Sequence, residues 1–491
     1  MRKVVIIGGG LGGLAAANLL AFSGYEVTLF DKNTHVGGKL KRIQSDGYTF
    51  DFGPNTITMP SVFKGIIEQT DQKSEDYFQF QKLDIHTNNH FTDGSTFSFS
   101  TDADLMISQL NKMDVFGSNH YKMYLKEVTR LYELSQTHFL PRTFSSLTEY
   151  LSPSLGKAFL SVRPFESLDH FHRRYFKDSR VLQSFNRYAT YIGSSPYLTP
   201  ATFSMIAHLE LIDGVYYTSG GNATIAEGLA KRARELGVQI YLNQEVSKIN
   251  IDNRVATSIK LANGETIETD EVILNGDLLA SLPQLIDEND RPRFANDRIQ
   301  KVEPSISAYV LLIGLNTRMK DLIHHQVYFS QNYQEEFNEL LVKKQLPKDP
   351  SIYICNSSYT DFSMSPKGDN LFILVNAPSL SRDGTTNEDY EYYKELIYQK
   401  LSRAGLNIRP HIEYEQLITP QSIKQEYNAF RGALYGRASN RKMDAFFRTP
   451  NRSRDIANLY FVGGSTHPGG GSPMVVISGQ NVANLIINHD K

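Results

Sequence analysis

The chain has no tryptophan, one cysteine and no excess of either charge sign. With Cys355 alone, no internal disulfide and no multi-cysteine metal site can form, which fits a reducing compartment, so a cytoplasmic protein is expected. The balance of 51 Lys+Arg against 53 Asp+Glu supplies no global field for nucleic acid. Long apolar runs are missing too. The best of them, residues 308–315, has the length of a strand, far below the roughly 18 residues that a membrane-spanning helix needs. The stretch up to Phe22, preceded by Arg2 and Lys3, has the outline of a secretory signal. Five glycines between Gly8 and Gly13 and the lack of a convincing cleavage site exclude that reading. No internal repeat or low-complexity tract stands out.

What is present points to a large interior. A chain of 491 residues exceeds one simple core, so two or three domains are expected at roughly 100–200 residues each. The 28 Phe and 27 Tyr are enough both to fill cores and to line an apolar cavity.

The chain opens with a strand over 4–7, an Ala- and Leu-rich helix over 11–22, a turn at Ser23-Gly24 and a second strand over 26–30: a βαβ unit. Residues 70–214 are longer-looped, aromatic and charged, with a helical pattern over 121–138 and breaks at Pro141, Pro153 and Pro164. Simple grammar returns with Gly220-Gly221, a helix over 223–236 and a strand over 238–242. Strands over 245–251 and 255–261, joined near Asp252-Asn253, then turn at Asn263-Gly264 as a β-meander. Residues 281–454 read as irregular and mixed, and strand 458–462, a glycine loop and helix 472–487 close the chain.

Between the first strand and helix, Gly8, Gly10 and Gly13 satisfy G-x-G-x-x-G, with Gly9 and Gly12 filling the loop. Gly8 permits the tight turn, Gly10 lets backbone approach a pyrophosphate, and Gly13 lets helix and strand pack closely. The helix N-terminus adds unpaired N–H groups and the positive dipole end. Asp31 closes the second strand where an acceptor for a ribose hydroxyl is needed. Together these predict dinucleotide binding. The motif continues through Lys32 to Gly37, Gly38 and Lys39, and this glycine pair resembles the second glycine motif of the flavoprotein group that contains amine oxidases and carotenoid desaturases. That resemblance implies FAD rather than NAD. Lys39 and Arg42 can neutralise phosphate, although Arg42 also reads as a solvated surface cation.

At the other end, Leu459–Val462 leads into Gly463-Gly464, a loop through His467 and Gly469–Gly471, and a helix for which Ser472 is a cap and Pro473 a first residue, followed by Met474. A second helix N-terminus here can face the pyrimidine edge of a flavin, where reduction places negative charge. Gly220-Gly221 and Glu245-Val246 fall where such flavoproteins touch the dinucleotide again, with Val246 against adenine or in ordinary sheet core.

With these residues in view the chain resembles the bacterial phytoene desaturase family over nearly its whole length. The stretches carrying the likeness are 46–54, 191–197, 214–221 and Thr466-His467-Pro468-Gly469. The resemblance implies an α/β fold: a Rossmann-like FAD-binding domain of the amine oxidase/phytoene desaturase type with an inserted mixed α+β substrate domain. Residues 1–70, 215–280 and 455–491 would form the FAD domain, and 71–214 and 281–454 the substrate and membrane-contact domain. It also implies noncovalent FAD, an apolar acyclic carotenoid as substrate, peripheral attachment to the inner face of the cell membrane, and oxygen or a quinone as electron acceptor. Residues 430–436, 469–475 and Ser478-Gly479-Gln480 resemble thirty-carbon terminal oxygenases acting on diaponeurosporene-type carotenoids. Oxidation of a terminal methyl to an aldehyde is therefore expected ahead of desaturation. Other flavin amine oxidases and a non-enzymatic isoprenoid-binding protein remain open alternatives.

No catalytic acid or base announces itself. His467, on the loop before the final helix, and Arg431, in the glycine-flanked segment 430–436, are the polar side chains singled out. Each has a structural alternative: His467 fixing its loop through a backbone hydrogen bond, Arg431 forming a salt bridge. His170, His172, Arg173 and Arg174 among Phe171, Tyr175 and Phe176 would suit either a lipid interface or a solvated helix face, and no metal is assigned.

Overall fold

The structure, a computed structural model, describes residues 1–144, 152–386, 388–440 and 448–489; the expected domain ranges lie outside the described residues wherever they cross the gaps. Its centre is a five-stranded parallel sheet in the order Leu459–Val462, Glu271–Asn275, Lys3–Ile7, Glu26–Phe30, Gln239–Tyr241. Val4, Val5 and Ile6 are all buried, because helices cover one face and the β-meander the other. This arrangement brings the first and last strands of the chain to either side of Glu271–Asn275.

Two helices follow the flanking strands and cross in front of the sheet: Leu11–Phe22 and Ser472–His489. Their contact is set by glycine. A Cβ on Gly479 would sit 2.1 Å from the Gly12 carbonyl oxygen, so no other residue lets the two backbones approach this closely. Ser472, expected as the cap, is instead the first helical residue. The Gly471 carbonyl accepts from the Val475 N–H, which shifts the start by one and puts Pro473 second.

The stretch expected to be irregular contains most of a seven-stranded sheet: Ile412–Ile418, Ser307–Leu315, Asn370–Ala377, Ile352–Asn356, His325–Tyr328, Ile85–His90 and Thr96–Ser100. Ser307–Leu315 is buried at every position because the sheet is covered twice. Tyr309, Leu311 and Ile313 pack towards helix Tyr390–Arg403, while Ala308, Val310 and Leu312 pack towards Tyr48–Phe52. Strand Ile85–His90 was illegible as a strand because Asn88, Asn89 and His90 break the apolar alternation. Asn89 Nδ2 donates to the Phe97 carbonyl at 2.9 Å, and His90 Nε2 meets Gln326 Oε1 at 2.7 Å.

Helix Val115–His138 begins six residues before the pattern suggested and packs on Phe171, Phe176 and Phe185. The meander matches the reading except at its first turn. There Asn253 and Arg254 both have positive φ, so the two-residue turn lies one position later.

Candidate functional site

A cavity of about 380 Å³ lies between the two sheets. Its floor is the loop Gly8–Gly12 and the N-terminus of helix Leu11–Phe22, whose first-turn N–H groups have no intrahelical acceptor. Gly10 pairs with Gly37 as a parallel bridge, and a Cβ on Gly38 would lie 3.4 Å from the Gly10 Cα, so the second glycine pair closes over the first.

Asp31 stands at the end of Glu26–Phe30 and is buried. Its Oδ2 accepts from the Gly9 N–H at 2.7 Å and its Oδ1 from the Asn33 N–H at 2.8 Å. The carboxylate therefore shapes the loop while still lining the cavity, and its remaining lone pairs are open to a ligand hydroxyl.

On the opposite side the lining comes from Gly463, Gly464, Gly470 and Gly471, with Ser472 and Val475 at the start of the last helix. Two helix N-termini thus point into one space, a placement that favours anions and developing negative charge. The roof is apolar: Ala308, Val310, Phe372 and Leu374 from the seven-stranded sheet, with Phe52 stacked on Tyr427 at 5.2 Å between ring centroids. Tyr435 also lines the cavity, and burial pushes its phenol up to about 12.

Of the residues expected to hold the dinucleotide, Gly8, Gly10, Gly12, Asp31, Lys32, Gly37, Gly38, Lys39, Val246, Gly463 and Gly464 line this cavity. Gly13, Pro473 and Met474 do not. A Cβ on Gly13 would be 2.4 Å from the Gly8 carbonyl oxygen, which is the close packing expected of it. Lys32 Nζ donates to the Gln425 carbonyl at 3.3 Å. Lys39 is half-buried and donates to the Leu434 carbonyl at 2.6 Å, tying the glycine loop to the apolar roof. Burial lowers its pKa, and the charge of Asp277 partly offsets this. Arg42 turns away, to the Gly220 carbonyl at 2.9 Å and Glu227 at 3.3 Å.

The two polar residues singled out for catalysis do not reach the cavity lining. His467 Nε2–H donates to the Phe139 carbonyl at 2.9 Å, and its ring meets Phe144 edge-on. Burial lowers its pKa to about 4, so the imidazole is neutral near pH 7. Arg431 Nε donates to the Leu380 carbonyl at 2.7 Å, outside the lining formed by Leu434, Tyr435 and Gly436. Both are positioning contacts for the loops that carry them. Replacing His467 by Ala removes one hydrogen bond from the Phe139 carbonyl, which keeps the Arg142 N–H at 3.4 Å, so we expect a stability loss of about 0.5–1.5 kcal/mol in denaturant melts with an unchanged flavin spectrum.

Sequence reasoning missed Asn275 and Asp277. Asn275 ends strand Glu271–Asn275, and its Nδ2 donates to the Gly8 carbonyl at 2.8 Å beside the cavity. Asp277 caps helix Leu278–Leu285 through the Leu279 N–H at 3.1 Å and accepts from the Phe430 N–H at 3.0 Å, fixing segment 430–436 from across the site. The run Leu274-Asn275-Gly276-Asp277, polar residues at the end of an apolar strand, was the available signal.

These two helix N-termini, the acidic strand end and the paired glycine loops make a site suited to an anionic ligand with hydroxyl groups. The model of the flavin containing amine oxidoreductases matches residues 11–487, and the chain belongs to that family as a flavin-dependent oxidoreductase. It is 35% identical over 492 aligned positions to a 4,4'-diapolycopene oxygenase of Methylomonas sp, covering 99% of this chain and 98% of that one. A 4,4'-diaponeurosporene oxygenase of Staphylococcus aureus is 34% identical, at 99% and 98% coverage. Among solved structures, cyclohexylamine oxidase from Brevibacterium oxydans superposes with a TM-score of 0.63 at 16% identity, covering 99% of each chain, a likeness of fold.

Proposed function

We propose that this chain is an FAD-dependent enzyme that oxidises the terminal methyl group of an acyclic thirty-carbon carotenoid, of the diaponeurosporene or diapolycopene type, to an aldehyde. The observation that carries the reading is the full-length similarity to oxygenases named for those two polyenes. The apolar roof of Ala308, Val310, Phe372 and Leu374 supports it, since these side chains suit a hydrocarbon and offer no ionisable group to an amine.

The residues present fit FAD. Asp31 would take the ribose, the N–H groups of 10–12 the pyrophosphate, and Val246 the adenine, while the start of helix Ser472–His489 would face the flavin ring. When bound, FAD supplies the redox chemistry. The chain's part is to hold one end of the polyene against the ring, exclude water with the sheet face, and keep Lys39 and Asp277 as the polar brace behind it. Oxygen or a quinone would be the electron acceptor. Residues 1–70, 215–280 and 455–491 form the FAD-binding part of this scheme, and 71–214 and 281–454 the substrate and membrane-contact part.

A substrate dissolved in lipid requires docking at the bilayer. Among the described residues no helix is long and apolar enough to cross a membrane. In the cluster first considered for lipid contact, Phe171, His172 and Phe176 are buried core, and Arg173 and Arg174 pair with Asp169 and Glu166. Nearby, however, Leu160, Phe165 and Leu198 are 66%, 55% and 51% exposed, and we assign the peripheral contact to them. The double change Leu160→Glu and Phe165→Glu should release the protein from lipid vesicles in a sedimentation assay; unchanged binding would remove this assignment.

The reaction is tested by expressing the chain in cells that make either diapophytoene or a preformed acyclic polyene, followed by pigment mass. Oxygen gained at the ends of the preformed polyene alone supports terminal oxidation. Hydrogen loss from diapophytoene would make the protein a desaturase.

A further inference from the structure

The interior of the seven-stranded sheet holds a group of side chains that the flavin site does not use. His325 opens strand His325–Tyr328, and Cys355 stands directly opposite it on antiparallel strand Ile352–Asn356. His324 precedes them by one residue. One ring nitrogen from each histidine and the Cys355 sulfur lie within 4.8 Å of one another, and all three residues are buried.

Hydrogen bonding divides each imidazole into a used and an unused nitrogen. His324 Nδ1 is 2.6 Å from Thr360 Oγ1, and His325 Nδ1 is 2.9 Å from the Tyr353 hydroxyl. Nε2 of both rings is buried without a hydrogen-bond partner. Each such stranded atom costs about 1–3 kcal/mol. A hydroxyl acceptor on Nδ1–H leaves the Nε2 lone pair free, which is the tautomer and outer contact that metal-ligating histidines carry.

We propose that His324, His325 and Cys355 form a binding site for a single thiophilic metal ion, of the Cu⁺ or Zn²⁺ class. Two imidazoles and one thiolate are the donor set these ions favour. Burial keeps both rings neutral, His324 down to about 3, so they need lose no proton to bind near pH 7. Burial and the nearby Asp51 charge hold the Cys355 thiol protonated. Binding therefore breaks the S–H bond, forms a metal–sulfur bond and releases one proton to solvent, with no change of oxidation state. Bonds of about 2.0–2.3 Å to the ion require the three donors to rotate inward by about 1 Å.

Three protein ligands leave a coordination position open. Cys355 faces Phe372 in register, and Phe372 walls the flavin cavity. The ion would thus share the sheet face of that cavity, between one and two strand spacings, roughly 5–10 Å, from Phe372.

The test uses the flavin-loaded protein, reduced at Cys355, exposed separately to Zn²⁺ and to Cu⁺, desalted and analysed for metal and flavin per chain. One retained ion per chain is expected, and whichever salt gives it identifies the ion. Cys355→Ser and His325→Ala should lose the ion and keep the flavin. Tyr353→Phe, which removes the hydroxyl that bonds His325 Nδ1 and also meets Cys355 but leaves all three donors in place, should weaken binding by roughly 10- to 100-fold. Well under one ion per chain with either salt in native protein, or equal metal content in all variants, overturns the proposal. Flavin content and melting temperature identify a misfolded variant, in which case Tyr353→Phe decides.

Discussion

Protein carrying Gly10→Val is expected to purify folded and colourless. Gly10 has φ −71° and ψ 171°, a conformation open to any residue. The atom nearest to a Cβ there is Asn275 Nδ2 at 3.1 Å, an amide that has to give by a few tenths of an ångström. The backbone therefore accepts valine, and the cost falls on the ligand, whose phosphates would have to share space with two methyl groups. Overpacking of about 1–3 kcal/mol corresponds to a loss of roughly 10- to 100-fold in flavin affinity. The measurement is the ratio of flavin to protein absorbance, with circular dichroism as the check on folding. Gly8→Val is the contrast: Gly8 has φ +105°, and a Cβ would sit 2.2 Å from the Asn275 carbonyl oxygen, so that variant fails to fold.

The second large effect is on stability. Asp51 is 4% exposed, and its carboxylate accepts from the Asn222 N–H at 2.7 Å and the Ala223 N–H at 3.1 Å. Those groups open helix Thr224–Glu235, whose own cap position, Ala223, supplies no side chain. Asp51→Leu leaves both donors buried and unpaired, at about 1–3 kcal/mol each, so a loss of about 2–5 kcal/mol is expected in denaturant melts. Burial raises the Asp51 pKa from 3.8 to about 6. Between those values the folded protein binds a proton that the unfolded chain does not, so this group's contribution to stability falls as pH rises from about 4 to above 6. Wild type should therefore gain on Asp51→Asn as pH is lowered from 7 towards 4, and a difference independent of pH would contradict the shift.

Asp51 also explains one of the stretches that carry the family likeness. The run 46–54 acts at a distance, closing the Gly220-Gly221 turn and sending Phe52 and Pro54 into the cavity wall. That role could not be read from local pattern. What was legible was short-range: helix Leu11–Phe22 and strand Glu26–Phe30 appear where periodicity put them, and the glycine loops at both ends meet in one cavity. What was not legible depends on partners far along the chain. Strand Ile85–His90 is polar by sequence and is held between Thr96–Ser100 on one side and the distant His325–Tyr328 on the other. His467 reads as a site residue because its loop lines the cavity, yet its ring is spent on Phe139, 328 residues away. Asn275 and Asp277 become site residues because Gly8 and Phe430 are brought to them.

One cavity and one reaction can be read together in a single comparison. Wild-type and Gly10→Val proteins, each given a preformed acyclic thirty-carbon polyene, are followed by the mass of the pigment. The expected result is terminal oxygen on the wild-type product and unaltered pigment with the variant. Equal oxygenation by both would show that the cavity between the two glycine loops does not hold the flavin that does the work.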